Sequence, residues 1–226
     1  MRHAPGNVPR LVDDAAALVR VASPNDWPGG FVVVADRLPP RIAALACGDG
    51  RGLAELYGCR EGAACVVVDV WKRAANPEAP TLAEVASLEA LSCHEAAHTL
   101  TTGTATAEAV DKLLSTADRD VAAYSPETVA RQHGPRWAMA FWLLVNRAAA
   151  YRPRSGAVMV EGVAIELGHY GYPRHELVRL AGGVSADEPL RERLAVGGDW
   201  DALLSARLPD ESTRAAAIVA AGISKV

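Results

Sequence analysis

Hydrophobic residues follow two different spacings along the chain, one typical of strands and one typical of helices. Short β-branched runs predict strands at 31–35 and 64–71, and the apolar run at 41–46 fits either a strand or a short helix. Before them, apolar residues at helical spacing predict an amphipathic helix over 9–21. The early part of the chain therefore combines strands with helix, which favours the α+β class.

The longest predicted helix follows the strand region. Thr81 comes after Pro80 and lies three residues before Glu84, which is the spacing of a capping box at a helix N-terminus. Gly103 is a typical helix terminator. The sequence therefore predicts a helix over 82–101.

Helical spacing continues through the rest of the chain. Further helices are predicted at 105–117, 125–132 and 136–151. The run AVMVEGVAIEL at 157–167 fits either a strand or a helix, and three short helices are predicted in a C-terminal subregion, 174–226. Because neither repeats nor a linker interrupt the pattern, residues 1–226 are predicted to form a single domain.

Composition and charge narrow the classes of protein to which the chain can belong. Half of the 226 residues are hydrophobic and the net charge is −4, so the chain can bury a sizeable core and lacks the basic surface of nucleic-acid-binding proteins. The sequence has no apolar run of about 18 residues, and its N-terminus lacks the apolar segment of a signal peptide. We therefore expect a cytoplasmic protein that binds neither membranes nor nucleic acids.

The four cysteines do not form a recognised metal or redox motif. Cys47, Cys59, Cys65 and Cys93 include no C-x-x-C pair. The favoured interpretation is four small buried thiols in a reducing compartment, and a disulfide between Cys59 and Cys65 is the alternative.

The segment HEAAH, residues 94–98, lies inside the long predicted helix. Residues four apart share one face of a helix, so His94 and His98 are able to direct two imidazoles at one metal ion. Glu95, beside the first histidine, would reach a metal-bound water instead of the metal. This arrangement is the one used by H-E-x-x-H zinc peptidases.

A catalytic zinc site needs a third protein ligand and an open fourth position. Two residues are favoured by their local sequence: His133 in QHGPRW and Glu161 in MVEGVAIE. Glu108 and Asp120 are weaker candidates, because no local pattern accompanies them. The residues alone leave this choice open.

The block HGPRW, which contains His133, Gly134, Pro135 and Trp137, follows HEAAH in the chain. Together the two motifs resemble those of SprT-like zinc metallopeptidases, over about residues 81–151. The resemblance implies a zincin-like fold, in which a small sheet precedes the HExxH helix. It also implies that His133 is the third zinc ligand and that Glu95 is the catalytic base.

The chain departs from the SprT-like pattern in two respects. The spacer between His98 and His133 has 34 residues, which is longer than expected for that family, and the C-terminal zinc ribbon of some members is absent. The missing ribbon and the acidic composition argue against carrying over the DNA-linked role of some relatives.

The loop GHYGYPRH, residues 168–175, contains further polar side chains. A histidine or tyrosine here would be able to stabilise an oxyanion, but the sequence favours a packed loop formed around Tyr170 and Tyr172.

Two functions fit this sequence. The first is a zinc-dependent metallopeptidase that hydrolyses a peptide or protein through a zinc-bound water activated by Glu95. The alternative is a non-catalytic, zinc-stabilised protein-binding module. Glu95 favours the enzyme, because a structural zinc site needs no base and usually has four protein ligands.

Overall fold

The computed structural model describes residues 8–27, 30–39, 42–48, 53, 57–101, 125–194 and 199–223. Its strands are β1 (Val32–Ala35), β2 (Ala44–Cys47) and β3 (Cys65–Val68). Its helices are α1 (Val8–Ala22), α2 (Val70–Arg73), α3 (Leu82–Thr101), α4 (Pro126–Gln132), α5 (Pro135–Ala150), α6 (Gly156–His169), α7 (Arg174–Ala181), α8 (Leu190–Arg193), α9 (Asp199–Arg207) and α10 (Glu211–Ala220). The α+β class is therefore confirmed. The predicted helix at 105–117 lies outside the described residues.

The three strands form one mixed sheet in the order β1-β3-β2. β3 pairs in parallel with β1 and antiparallel with β2, and all four of its residues are buried. Val66 and Val68 belong to the main hydrophobic core with the helices, whereas Cys65 and Val67 belong to a smaller cluster. Because successive side chains of a strand point to opposite faces, β3 separates these two clusters.

The strand predicted at 64–71 is shorter in the structure. β3 ends at Val68, and Asp69 then accepts a hydrogen bond from the backbone N–H of Lys72 at 3.3 Å. This side-chain cap begins the short helix α2, so Trp71 is helical instead of extended. The ambiguous run at 41–46 contains most of β2.

Helix α3 has the bounds that the sequence predicts, and its capping box is present. The Glu84 N–H donates to Thr81 Oγ1 at 3.2 Å, and the Thr81 N–H donates to Glu84 Oε2 at 2.7 Å. The helix packs against α1, α5, α6 and the sheet. Its position at the centre of the molecule explains why it is apolar on several sides and buried along most of its length.

Helix α5 is the most deeply buried helix among those described. Trp137, Phe141 and Trp142 all lie in the core. The ambiguous run at 157–167 is part of helix α6, which packs against both α3 and α5. The outer side of α6 also carries apolar residues, Val158 at 45% and Ile165 at 55% exposure, which hides the helical periodicity in its sequence.

The C-terminal part contains four described helices, where the sequence predicts three. The additional helix, α8, is a single turn whose N-terminus is capped by Asp26, from the loop after α1. Asp26 accepts hydrogen bonds from the backbone N–H groups of Leu190, at 3.1 Å, and Arg191, at 2.8 Å. Because the cap comes from more than 160 residues away in the chain, the local sequence of α8 does not predict it.

The interpretation of all four cysteines as thiols is wrong for two of them. Cys59 and Cys65 form a disulfide, with Cα atoms 6.1 Å apart, while Cys47 and Cys93 are buried outside any disulfide. The short loop before β3 returns Cys59 to the first residue of the strand, at a separation that a disulfide spans. Disulfides are typical of oxidising compartments, so the cysteines do not support the cytoplasmic prediction.

None of the helices in the described ranges combines the length and the hydrophobicity that crossing a bilayer requires.

Candidate metal centre

The two histidines of HEAAH project from one face of α3, as predicted. Their ring centroids are 5.1 Å apart. His94 is buried and His98 is partly exposed, so the pair lies where the helix meets an accessible part of the surface. One turn of helix therefore supplies two of the three imidazoles of the site.

His133 is placed by the corner between α4 and α5. It is the C-terminal cap residue of α4, Gly134 is the N-cap of α5, and Pro135 occupies the first turn of α5. Proline disfavours helical backbone in the residue before it, so the chain must turn at this point. The corner carries the His133 ring to 5.2 Å from that of His94 and 4.9 Å from that of His98.

The three histidines form one cluster that is close enough to hold a metal ion. One ring nitrogen from each of His94, His98 and His133 lies within 4.8 Å of the others. Residues that are far apart in sequence are thus brought together by the packing of α3 against α5. The structure brings His133, and not Glu161, together with the HEAAH pair.

The hydrogen bonds of two histidines fix which nitrogen of each ring carries a lone pair. His133 Nδ1–H donates to the backbone carbonyl of Val129 at 2.9 Å, and His94 Nδ1–H donates to Glu166 Oε1 at 2.9 Å. In neutral imidazoles the proton on Nδ1 leaves Nε2 as an acceptor. The two Nε2 atoms lie 3.3 Å apart, so a proton on one ring or a shared metal ion has to lie between them.

This spacing fits a shared cation. Two nitrogen ligands of a tetrahedral zinc ion, each about 2.0–2.1 Å from the metal, lie about 3.3 Å from each other. The separation of the Nε2 atoms of His94 and His133 matches that value. Three imidazoles suit zinc, and they also suit other first-row transition metals such as copper, nickel and iron.

Helix α6 supplies residues that support this cluster, and the sequence analysis missed the most important of them. Glu166 accepts the Nδ1–H of His94, and it lies 72 residues further along the chain. A carboxylate in this position fixes the tautomer and orientation of a metal-binding histidine and increases its basicity. The signal in the sequence was a single acid within the apolar run VAIEL.

The candidate ligand Glu161 lies on a different face of the same helix. It is exposed, and its Oε2 pairs with Arg174 Nη1 at 2.8 Å. Five helical positions correspond to a rotation of about 140°, so Glu161 and Glu166 do not share a face. The other two candidates, Glu108 and Asp120, lie outside the described residues.

The end of α6 contacts the backbone of His133. The N–H of Tyr172 donates to the Leu167 carbonyl at 2.9 Å and that of Gly171 donates to the Gly168 carbonyl at 2.9 Å, a Schellman ending in which Gly171 has φ +84°. This turn places the Tyr172 hydroxyl on the carbonyl oxygen of His133, at 2.7 Å. The predicted packed loop is therefore confirmed, and it supports the cluster.

Helix α10 closes the structure behind His133. The guanidinium of Arg214 donates to the Ala130 carbonyl at 3.1 Å and lies over the ring of Tyr172, 5.7 Å from its centroid. These contacts connect α10 to α4 and to the end of α6. The C-terminal part thereby supports the helix that carries the third histidine.

The electrostatics of the cluster keep two of its histidines neutral. Burial lowers the pKa of His98 well below its usual value, and the neighbouring His94 and His133 lower it further. Burial followed by repulsion from His94 lowers the pKa of His133 to about 3. Burial also acts to lower the pKa of His94, but the hydrogen bond and charge of Glu166 outweigh it and raise that pKa. Burial and the repulsion between the rings therefore disfavour more than one positive charge in the cluster.

Glu95 lies next to the cluster without belonging to it. It is partly exposed, and among the described residues its carboxylate has no hydrogen-bond partner. Burial raises its pKa, the charge of His94 lowers it, and Glu166 raises it again. Arg73, exposed at the end of α2, adds a positive charge that lowers the pKa of both Glu95 and Glu166.

Comparison with known proteins adds no relative: no protein-family model, curated protein or solved structure matches this chain. The resemblance to SprT-like peptidases therefore depends on the residues of the two motifs. What the structure adds is the convergence of His94, His98 and His133 on one point.

Proposed function

We propose that this chain is a zinc-dependent peptidase in which His94, His98 and His133 bind the metal and Glu95 is the general base. The observation that carries the proposal is the convergence of the three imidazoles, with two Nε2 atoms 3.3 Å apart. This separation is the one expected of two nitrogen ligands on a tetrahedral zinc ion.

The proposed division of labour follows from the chemistry of each group. Zinc is a Lewis acid that lowers the pKa of a bound water and polarises a carbonyl group. Glu95 accepts the proton of the attacking water as the water oxygen bonds to the carbonyl carbon of the substrate. Glu95 then gives that proton to the amide nitrogen as the C–N bond breaks, so a carboxylic acid and an amine are released.

Two features favour an enzyme over a purely structural zinc site. The cluster offers three protein ligands among the described residues, whereas structural zinc sites usually have four. His98 and Glu95 are both partly exposed, which gives a substrate access to the cluster. A peptide or protein is the substrate class that this chemistry implies.

The proposal is tested by Glu95→Gln, which keeps the size of the side chain but removes its ability to accept a proton. Hydrolysis of peptide libraries and unfolded proteins should fall by about two to four powers of ten, the usual contribution of a positioned base. Zinc content should stay at that of the wild type, because the three histidines are unchanged. The matched control is Glu161→Gln, a carboxylate-to-amide change on the outer side of α6, which should leave hydrolysis intact.

Two results would contradict the proposal. Undiminished hydrolysis by purified Glu95→Gln would remove Glu95 from the mechanism. A zinc-loaded wild type that cleaves none of the substrates would favour the alternative, a zinc-stabilised module that binds a protein partner.

A further inference from the structure

Tyr170 lies against the candidate metal centre. Its ring is stacked on that of His133, with centroids 4.5 Å apart and planes inclined by 20°. The indole of Trp137 packs against the Tyr170 ring with centroids 5.3 Å apart, and Tyr170 is only 9% exposed. The ring is therefore held in one orientation by two aromatic neighbours.

The hydroxyl of Tyr170 differs from that of its neighbour Tyr172. Among the residues that the structure describes, the Tyr170 hydroxyl has no hydrogen-bond partner, whereas the Tyr172 hydroxyl donates to the backbone of His133. Tyr170 lies four residues after Glu166, at the end of α6, with its N–H bonded to the Glu166 carbonyl at 3.3 Å, so both side chains leave the helix on the side of the histidine cluster. The hydroxyl is not among the fully buried polar atoms that lack a partner, so a ligand is able to reach it.

We propose that Tyr170 is a catalytic residue, whose hydroxyl donates a hydrogen bond to the carbonyl oxygen of the scissile amide as negative charge develops on it. This inference rests on the proposed peptidase function and adds one residue to its mechanism. A donor that is already oriented and shielded from water stabilises such charge more strongly than water does.

The bond changes define what Tyr170 does in the reaction. The water oxygen bonds to the carbonyl carbon, Glu95 takes the water proton, and the electron pair of the C=O bond moves onto the carbonyl oxygen. Tyr170 keeps its own proton and shares it with that oxygen in a hydrogen bond. When the pair returns to re-form C=O, the C–N bond breaks and the nitrogen leaves with the proton from Glu95.

Other donors in the neighbourhood fit this role less well. The Tyr172 hydroxyl is occupied by His133, and His169 is exposed on the outer surface of α6. Arg73 is a cation beside the site, but it is exposed at the end of α2 and is not held by aromatic packing. Tyr170 combines a fixed ring with a hydroxyl that lacks a partner.

The test is Tyr170→Phe, which keeps the ring stacked on His133 and removes only the hydroxyl. With the peptide that the wild type cleaves best, kcat should fall by about a hundredfold to a thousandfold, the usual effect of removing one oxyanion donor. KM should stay within about twofold, since the interaction forms only in the transition state. Tyr151→Phe is the matched control, because Tyr151 is 56% exposed at the end of α5. This variant should cleave the peptide at the wild-type rate.

A second measurement does not depend on turnover. A tripeptide phosphinate carries a tetrahedral, negatively charged PO₂⁻ group in place of the scissile amide. Its affinity for zinc-loaded Tyr170→Phe, measured by calorimetry, should be lower by about tenfold to a hundredfold, the value of a hydrogen bond to a charged group. The zinc affinity of the variant, measured by competition with a chelator, should equal that of the wild type.

Each other outcome overturns the inference in a distinguishable way. An active wild type with an equally active Tyr170→Phe removes Tyr170 from the mechanism and leaves the peptidase proposal in place. A loss of zinc affinity in Tyr170→Phe makes the hydroxyl a support for His133 instead of a catalytic donor. If Arg73→Gln shows the kcat loss and Tyr170→Phe does not, the arginine is the donor. A wild type without activity overturns both proposals.

Discussion

The two halves of helix α3 both bury polar side chains, but the halves satisfy them in opposite ways. In the N-terminal half, Glu89 is 3% exposed and its carboxylate accepts hydrogen bonds from Arg152 Nε at 2.5 Å and Ser155 Oγ at 3.3 Å. In the C-terminal half, the Nε2 atom of His94 meets the Nε2 atom of His133.

The difference separates a structural polar contact from a ligand site. The carboxylate of Glu89 meets hydrogen-bond donors, one of them cationic, so its burial is compensated within the protein. Around His94 the imidazole nitrogens converge on each other, and either a proton on His94 or a bound metal ion compensates them. We therefore expect substitutions near Glu89 to change stability and substitutions in the histidine cluster to change metal binding.

The largest effect is expected for His133→Ala. Zinc affinity should fall by about a hundredfold to a thousandfold, because a zinc site with a total binding free energy of about 10–16 kcal/mol loses one of its few ligands. Competition with a fluorescent chelator measures this change. His175→Ala is the matched control, because the side chain of His175 is 79% exposed and lies outside the cluster. Equal zinc affinity of the two variants would contradict a three-histidine site.

Glu89→Ala should act on stability alone. Removing the carboxylate leaves Arg152 without its buried partner, and breaking a buried ion pair costs about 3–5 kcal/mol. The guanidinium side chain is 29% exposed and regains part of its hydration, so we expect a loss of about 2–3 kcal/mol. Urea unfolding of the metal-free protein measures the loss, and zinc affinity should equal that of the wild type. A folded Glu89→Ala that no longer binds zinc would show that the two halves of α3 are coupled.

The smallest of the three effects is expected for Glu166→Ala. Zinc affinity should fall by about tenfold to a hundredfold, since the carboxylate orients His94 without contacting the metal. Glu161→Ala provides the control on the same helix, and it should bind zinc as the wild type does. If both variants bind zinc normally, the hydrogen bond between Glu166 and His94 has no role in metal binding.

Local patterns predicted those elements whose signals lie within a few residues of each other. The bounds of α3 were predicted because Thr81 and Glu84 form the capping box that the spacing indicates. The pairing of His94 with His98 follows from one helical turn. Helix α6 and the single turn α8 were not resolved by the sequence, because one carries apolar residues on its exposed side and the other is capped by Asp26 from a distant loop.

By itself, the sequence determined that a helical segment places two imidazoles and a glutamate on one turn, since that depends only on helical geometry. It left open whether His133 or Glu161 would join them. Only the tertiary structure decided this, because the position of each candidate depends on how α4, α5 and α6 pack against α3. The same packing turned Glu166 towards His94, 72 residues away, and Tyr170 towards His133. Contacts between residues so far apart in the chain produce no periodicity that the sequence would show.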